Sequence, residues 1–248
     1  MPPTRVTPEQ YDAVLFDLDG VLTATANVHA AAWKRTFDEF LRRRARESGA
    51  GFTPFDIGSD YVRYVDGLLR QDGVRTFLAS RNIELPEGEP GDSPDLDTVH
   101  GIGNRKTERF LEVLATDGVD LYEDAVAWAR QVRAAGLKTA VVSASKNCAA
   151  ALRAARIEDL FDLRVDGLVA ARLGLAGKPA PDTFLEAAKE LGVEPRRAVV
   201  VEDAISGVQA GRAGDFGLVV GVARKGNAEQ LAENGADVVV TDLRELAP

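Results

Sequence analysis

The 248-residue sequence has one cysteine, Cys148, and two histidines, His29 and His100. A single thiol cannot close an intrachain disulfide, so the chain reads as a protein of a reducing compartment. One Cys and two His are also too few for a Cys/His zinc site. Long apolar runs are missing as well. The stretches Val199–Val201 and Leu218–Ala223 are far shorter than a bilayer-spanning helix. The opening Met1-Pro2-Pro3-Thr4 has no basic segment leading into an apolar one, so no export signal is expected and a cytoplasmic location follows. Basic charge is in deficit: 30 Lys and Arg face 39 Asp and Glu, a net charge of −9, which argues against a nucleic-acid partner. There is no Gly-x-Gly-x-x-Gly after a strand and no Gly-x-Ser-x-Gly. Gly177-Lys178 lacks the upstream glycine and the following Ser or Thr of a P-loop. Dinucleotide, serine-esterase and P-loop chemistry are thereby set aside. No internal repeat or low-complexity tail is present.

What the chain does have is ordinary globular composition, 45% hydrophobic and 28% charged, enough for a substantial core. Short apolar, mostly β-branched runs recur at Val14-Leu15-Phe16, Thr139–Val142, Ala198–Val201, Leu218–Val222 and Val238–Val240. Continuous apolar strands of this kind suit a parallel sheet covered on both faces. Between them, Glu123–Ala135 sets Val126, Ala129 and Val132 on one stripe before Gly136. Pro181 opens a second run, with Phe184, Leu185 and Ala188 on one face, that Gly192 closes. Strands alternating with helices predict an α/β fold with a doubly wound, mostly parallel, Rossmann-like sheet. The stretch 28–116 differs. It shows helical patterns at Val28–Arg44, Ser59–Leu69, Val74–Ser80 and Asn104–Leu114 and no strand, with an acidic Gly/Pro-rich loop at Pro86–Pro94. The expectation is a core of residues 1–27 and 117–248, interrupted by a helical domain over 28–116.

Ligands of an open α/β sheet collect at the carboxyl ends of the strands. The first strand runs into Asp17 and Asp19, the next into Ser143-Ala144-Ser145-Lys146-Asn147, and a later one into Glu202-Asp203, while Lys178 precedes a helix. Carboxylates gathered at one edge raise each other's pKa unless a cation sits among them. Oxygen-only donors suit a hard ion such as Mg²⁺. Lysines and hydroxyls beside them would serve phosphate oxygens, which is what phosphoryl transfer requires.

The series Asp17-Leu18-Asp19-Gly20-Val21, Ser143, Lys178 and Glu202-Asp203 resembles the four-motif signature of the haloacid dehalogenase superfamily over nearly the whole chain, with the insertion at the place of that family's C1-type cap. Thr25, His29 and Trp33, the runs Ser143–Asn147 and Lys178–Asp182, the Gly67-x-x-Arg70-x-Asp72 segment and Arg105-Lys106 resemble its β-phosphoglucomutase branch. The resemblance implies a Mg²⁺-dependent enzyme. Asp17 would be the nucleophile that becomes an aspartyl phosphate, and Asp19 the acid–base residue. Ser143 and Lys178 would hold the transferring phosphoryl group. Asp17, Asp203 and Glu202 would be the metal set, with the backbone carbonyl of Asp19. It further implies substrate contacts from Thr25, His29, Arg70, Lys106, Ser145, Lys146 and Asn147, with Arg70 clamping a second phosphate. The branch often has Tyr-Pro-Gly where this chain has Tyr122-Glu123-Asp124, and the Pro86–Asp97 loop looks like extra material.

Plainer roles stand beside these. Asp-x-Asp after a strand also makes Asx turns, Glu202-Asp203 could cap a helix, and Ser143 and Ser145 could be capping hydroxyls. Trp33 and Cys148 read as packing, and Arg42-Arg43-Arg44 as a solvated helix end. The functional alternatives are a phosphatase acting on a sugar phosphate or other small phosphomonoester, a metal-free dehalogenase, which Asp19 disfavours, and a binding protein without turnover. The expected partner is a small phosphorylated metabolite, taken up by a monomer or weak dimer.

Overall fold

The computed structural model describes residues 5–49, 51–65 and 70–246. The chain forms two compact units, one of Met1–Thr25 with Val119–Pro248 and one of Ala26–Gly118. The second is wider at each end than the expected 28–116, because its first helix runs unbroken from Thr25 and its last continues to Asp117.

The first unit is built on six parallel strands: β1 (Ala13–Phe16), β2 (Lys138–Val142), β3 (Leu163–Val165), β4 (Ala198–Glu202), β5 (Leu218–Val222) and β6 (Val238–Val240). Their order is β3-β2-β1-β4-β5-β6, so the winding reverses beside β1, where an open sheet leaves a crevice. Every residue of β1, β4 and β5 is buried. Alternate residues feed opposite faces. Ala13 and Leu15 join Ala140, Val142 and Val200 in a core closed by Phe184, Val208 and Leu231, while Phe16 meets Trp128 edge to face at 5.6 Å. Those partners lie on α5 (Glu123–Ala134), α8 (Asp182–Leu191), α9 (Ile205–Ala213) and α10 (Ala228–Glu233); α6 (Cys148–Ala155) and α7 (Gly167–Leu173) complete the unit.

The expected strands are all present, and β3 is the one the sequence pattern misses. It is a three-residue edge strand with Arg164 at its centre, so it shows no continuous apolar run. Helix α9, which follows Glu202-Asp203, carries Gly207 and Gly211, poor helix formers. A Cβ at Gly207 would collide with the Glu202 carboxylate, and one at Gly211 would press on Val200 and Val219.

Asp124 anchors the end of the chain in this unit. Both its oxygens accept from Arg224 Nη2 at 2.9 Å, and Oδ2 also accepts from the Leu243 amide at 2.8 Å. Removing the carboxylate leaves the largely enclosed Arg224 guanidinium without its bidentate partner. Asp124→Ala is expected to cost about 3–5 kcal/mol, read as a lowered denaturation midpoint, with Asp124→Asn costing less.

The second unit is helical: α1 (Thr25–Ser48), a π-helical turn (Ile57–Tyr61), α2 (Val62–Tyr64), α3 (Arg70–Ser80) and α4 (Val99–Asp117). Of the helix expected over Ser59–Leu69, the described residues form this turn and α2, and Asp66–Leu69 lie outside the described residues. Its core is aromatic: Trp33 stacks on Phe37 at 5.0 Å, and Phe37 meets Phe77 at 4.1 Å. The Pro86–Asp97 segment is irregular but well tied. The Asn104 amide donates to the Pro90 and Asp92 carbonyls, Arg105 Nε donates to Pro94 O at 2.7 Å, and Thr98 caps α4.

Candidate active site

The Asp17 amide donates to Val201 O at 2.9 Å, which extends the β1–β4 pairing and brings Asp17 beside Glu202 and Asp203. Oxygens of these three buried carboxylates lie within 4.8 Å of one another. Gly20 makes the approach possible. Its φ is +96°, and a Cβ there would occupy the place of the Asp203 carboxylate. Glu202 is fixed from the other side by the Ala204 amide, which donates to Oε2 at 3.1 Å.

Lys178 reaches into this cluster. Its Nζ donates to Asp17 Oδ1 at 2.5 Å, Glu202 Oε1 at 2.6 Å and Val142 O at 3.1 Å. Burial by itself would lower the ammonium's pKa, but Asp17 and Glu202 outweigh it and raise it above the usual lysine value. The same burial pushes Asp17 well above the ordinary carboxylate range, with Glu202 and Asp19 adding to the effect and Lys178 opposing it. A single ammonium between two buried carboxylates also leaves one negative charge in excess. Asp203 is pushed up to about 6, by burial first and then by Glu202, with Lys225 opposing. Three converging oxygen donors with surplus negative charge fit a hard divalent cation.

Asp19 lies beside this cluster, close enough to add to the shifts of Asp17 and Asp203. Its Oδ1 accepts from the Thr25 hydroxyl, and Ser143 Oγ lies 3.5 Å from its Oδ2. One aspartate thus sits under the lysine and the other between two hydroxyls. Ser145 and Asn147 serve the turn after β2: the Ser145 amide donates to Ser143 Oγ, and the Asn147 amide to Ser145 Oγ, each at 3.1 Å. Lys146 is exposed, its stem over Gly167. Cys148 is buried, and its thiol pKa is raised, chiefly by that burial. Glu202 and Asp203 do not cap α9, whose first residue follows Ala204 without a side-chain cap.

Two residues of this neighbourhood carry no signal in the sequence pattern. Both lie in the loop after β5: Lys225 Nζ is 3.4 Å from Asp203 Oδ2, and Asn227 Nδ2 donates to the Asp203 carbonyl at 3.1 Å. An Asn just before a helix reads as an N-cap, which hides a contact made across the sheet.

The remaining expected residues belong to the helical unit. His29 Nδ1 and Lys106 Nζ are 2.7 Å apart, the imidazole packs on Phe110 at 4.5 Å, and the ammonium lies 5.3 Å from the Trp33 ring centre. Arg70 Nη1 donates to Thr107 Oγ1 at 2.5 Å, and its stem runs over Gly103. Gly67 lies outside the described residues. Burial, assisted by Lys106, lowers the His29 pKa from 6.5 to about 3. The folded imidazole is therefore neutral where the unfolded one is charged, so stability is present above pH 6.5 and is lost as pH falls toward 3. The loss is roughly 1.4 kcal/mol per pH unit in that window. Urea unfolding at a series of pH values should show a shallower acid loss in His29→Gln than in the parent; equal slopes would remove the assignment.

Parallel α/β layers, a switch-point crevice, and a lysine-bridged carboxylate pair beside a second, hydroxyl-held aspartate define a phosphotransfer-type site. The comparisons agree with that class. The haloacid dehalogenase-like hydrolase family model matches residues 11–215. The β-phosphoglucomutase of Mycobacterium tuberculosis is 51% identical over 242 residues, covering 96% of this chain and 92% of that protein. The crystal structure of β-phosphoglucomutase from Clostridium difficile aligns with a TM-score of 0.67 at 25% identity, over 95% of this chain and 92% of that one. CbbY from Rhodobacter sphaeroides, solved in complex with phosphate, aligns with a TM-score of 0.67 at 26% identity, over 94% and 95%. The chain belongs to the haloacid dehalogenase-like hydrolase family and is an enzyme. No described helix is long and apolar enough to cross a membrane.

Proposed function

We propose that this enzyme is a β-phosphoglucomutase-like phosphotransferase, acting with Mg²⁺ on a hexose phosphate in the cytoplasm. The observation that carries the reading is the unequal treatment of two neighbouring aspartates: Asp17 is bonded to Lys178 beside Glu202 and Asp203, whereas Asp19 is held by Thr25 near Ser143. The first arrangement suits a nucleophile, its carboxylate aimed into the cluster and bonded to an ammonium that opposes the protonation burial favours. The second suits a group that trades a proton with the leaving and entering oxygens.

Asp17 attacks phosphorus and carries the phosphoryl group as an acyl phosphate. Asp19 protonates the departing sugar oxygen, and on the return step takes the proton from the acceptor hydroxyl. Lys178 and the Ser143 hydroxyl hold the equatorial phosphoryl oxygens. Asp17, Asp203 and Glu202, with the Asp19 carbonyl, would hold Mg²⁺, which when bound supplies charge neutralisation at the transferring group. Ser145, Lys146 and Asn147 line the same turn as Ser143 and are assigned to substrate oxygens. In the helical unit, Arg70 offers a planar fork to a second phosphate, and His29 with Lys106 forms a polar pair for the sugar. The 51% identity to a β-phosphoglucomutase supports the hexose phosphate.

Hydrolysis of a sugar phosphate or other small phosphomonoester is the second reading, favoured by the likeness to CbbY solved with phosphate. Incubation with β-glucose 1-phosphate, glucose 1,6-bisphosphate and Mg²⁺ separates the two. Glucose 6-phosphate as the main product is expected. Inorganic phosphate as the main product would move the assignment to a phosphatase.

A further inference from the structure

We infer that the loop after β5 sets the cation affinity of the active site through two side chains of opposite effect: Asn227 strengthens binding by fixing Asp203, and Lys225 weakens it by competing for the same carboxylate. This inference rests on the reading of Asp17, Glu202 and Asp203 as the Mg²⁺ ligands.

Asn227 precedes α10, where an Asn ordinarily turns its side chain onto the free amides of the first turn. Here it makes no such bond. Its Nδ2 instead donates to the Asp203 carbonyl at 3.1 Å, and its Oδ1 is buried with no hydrogen-bond partner among the described residues. Giving up the cap and burying an unmet acceptor both work against stability. Packing alone would be served by a Leu of similar size, without the unmet acceptor. The contact ties the backbone of Asp203 to a neighbouring strand's loop. Because Asp203 sits against Gly20 with no room for a Cβ, a small shift of its backbone displaces the carboxylate relative to Asp17 and Glu202. Partners that orient metal ligands from behind typically change affinity on the order of 10–100-fold.

Lys225 acts on the side chain of the same residue. Its ammonium is 3.4 Å from Asp203 Oδ2, and its own side chain is 69% exposed while that of Asp203 is 5% exposed. The solvated ammonium can therefore leave for water at little cost, but while present it partly neutralises the carboxylate that a cation would draw on and adds positive charge beside it. Lys178 is different. It is buried and bonded to Asp17 and Glu202, so it is a fixed part of the site rather than a competitor.

The test is isothermal titration of Mg²⁺ into the metal-free full-length protein, with thermal unfolding in chelator as the control. Asn227→Leu should weaken Mg²⁺ roughly tenfold while leaving the metal-free midpoint unchanged or higher, an outcome a purely structural role does not produce. Lys225→Met should tighten Mg²⁺ roughly fivefold, and the gain should shrink as salt is raised, because the competing charge is exposed. If the parent binds Mg²⁺ and Asp203→Asn abolishes it, yet neither loop variant shifts the affinity, the inference is wrong and the metal site stands. If the parent takes up no Mg²⁺, the metal site itself is wrong and the inference goes with it.

Discussion

Asp17→Asn is expected to eliminate phosphoenzyme formation and leave no measurable turnover. An amide matches the carboxylate in shape but is too weak a nucleophile to attack phosphorus, and covalent catalysis has no alternative route through this site. The nearest other carboxylates are already committed: Glu202 accepts from Lys178 and the Ala204 amide, and Asp19 from Thr25. The variant should fold. Wild-type Asp17 is buried with its pKa pushed up by burial and by Glu202, so losing its charge relieves a repulsion, while Lys178 keeps Glu202 as a partner. The expected pattern is a denaturation midpoint no lower than the parent's in chelator. After incubation with a sugar bisphosphate and Mg²⁺, the intact protein should show no mass gain of one phosphoryl group. A variant that turns over normally would remove Asp17 from the mechanism.

Lys178→Met should lower turnover by on the order of 10²–10³-fold, the scale for losing one preorganised charge at a developing anion. It should also change how stability depends on pH. The ammonium neutralises one of two buried carboxylates that it bridges at 2.5 and 2.6 Å. Without it Asp17 and Glu202 face each other with no cation, and breaking a buried pair in this way costs about 3–5 kcal/mol. A carboxyl whose folded pKa is raised binds its proton more tightly folded than unfolded. Its contribution is therefore fully present at low pH and is lost as pH rises through the folded value. Asp17 is already raised in the parent, and Asp203 is pushed up to about 6 from an ordinary 3.8, so the contribution of these carboxyls to the metal-free parent should decline between pH 4 and 7, against the opposite slope that His29 gives to parent and variant alike. In Lys178→Met the decline should be steeper and extend to higher pH. Thermal midpoints measured in chelator from pH 5 to 8 decide it: parallel curves for variant and parent would mean that Lys178 does not carry the charge balance assigned to it.

These expectations stand on residues whose grouping is partly legible in the amino-acid sequence. The β-branched runs that form β1, β2, β4, β5 and β6 are visible because parallel strands buried on both faces must be apolar along their whole length. Asp17, Ser143 and Glu202-Asp203 are visible because each directly follows or ends such a run. The short edge strand β3 is not, since an edge tolerates Arg164, and the glycines of α9 answer to Glu202 and to β4 and β5 rather than to helix propensity. Asn227 and Lys225 are the sharper case. Nothing in Arg224–Asn227 distinguishes a surface turn from a pair of contacts to Asp203, far back in the chain.

The sequence alone therefore determined the alternation of strand and helix, the insertion after the first strand, and the chemical types waiting at the strand ends, because burial and periodicity are local properties of a chain. Only the tertiary structure decided which carboxylate lies under Lys178, that Asp19 turns instead to Thr25, and that a loop after β5 reaches Asp203. Those outcomes depend on strand order and on where a missing Cβ lets two elements touch, and neither is written in the spacing of residues along the chain.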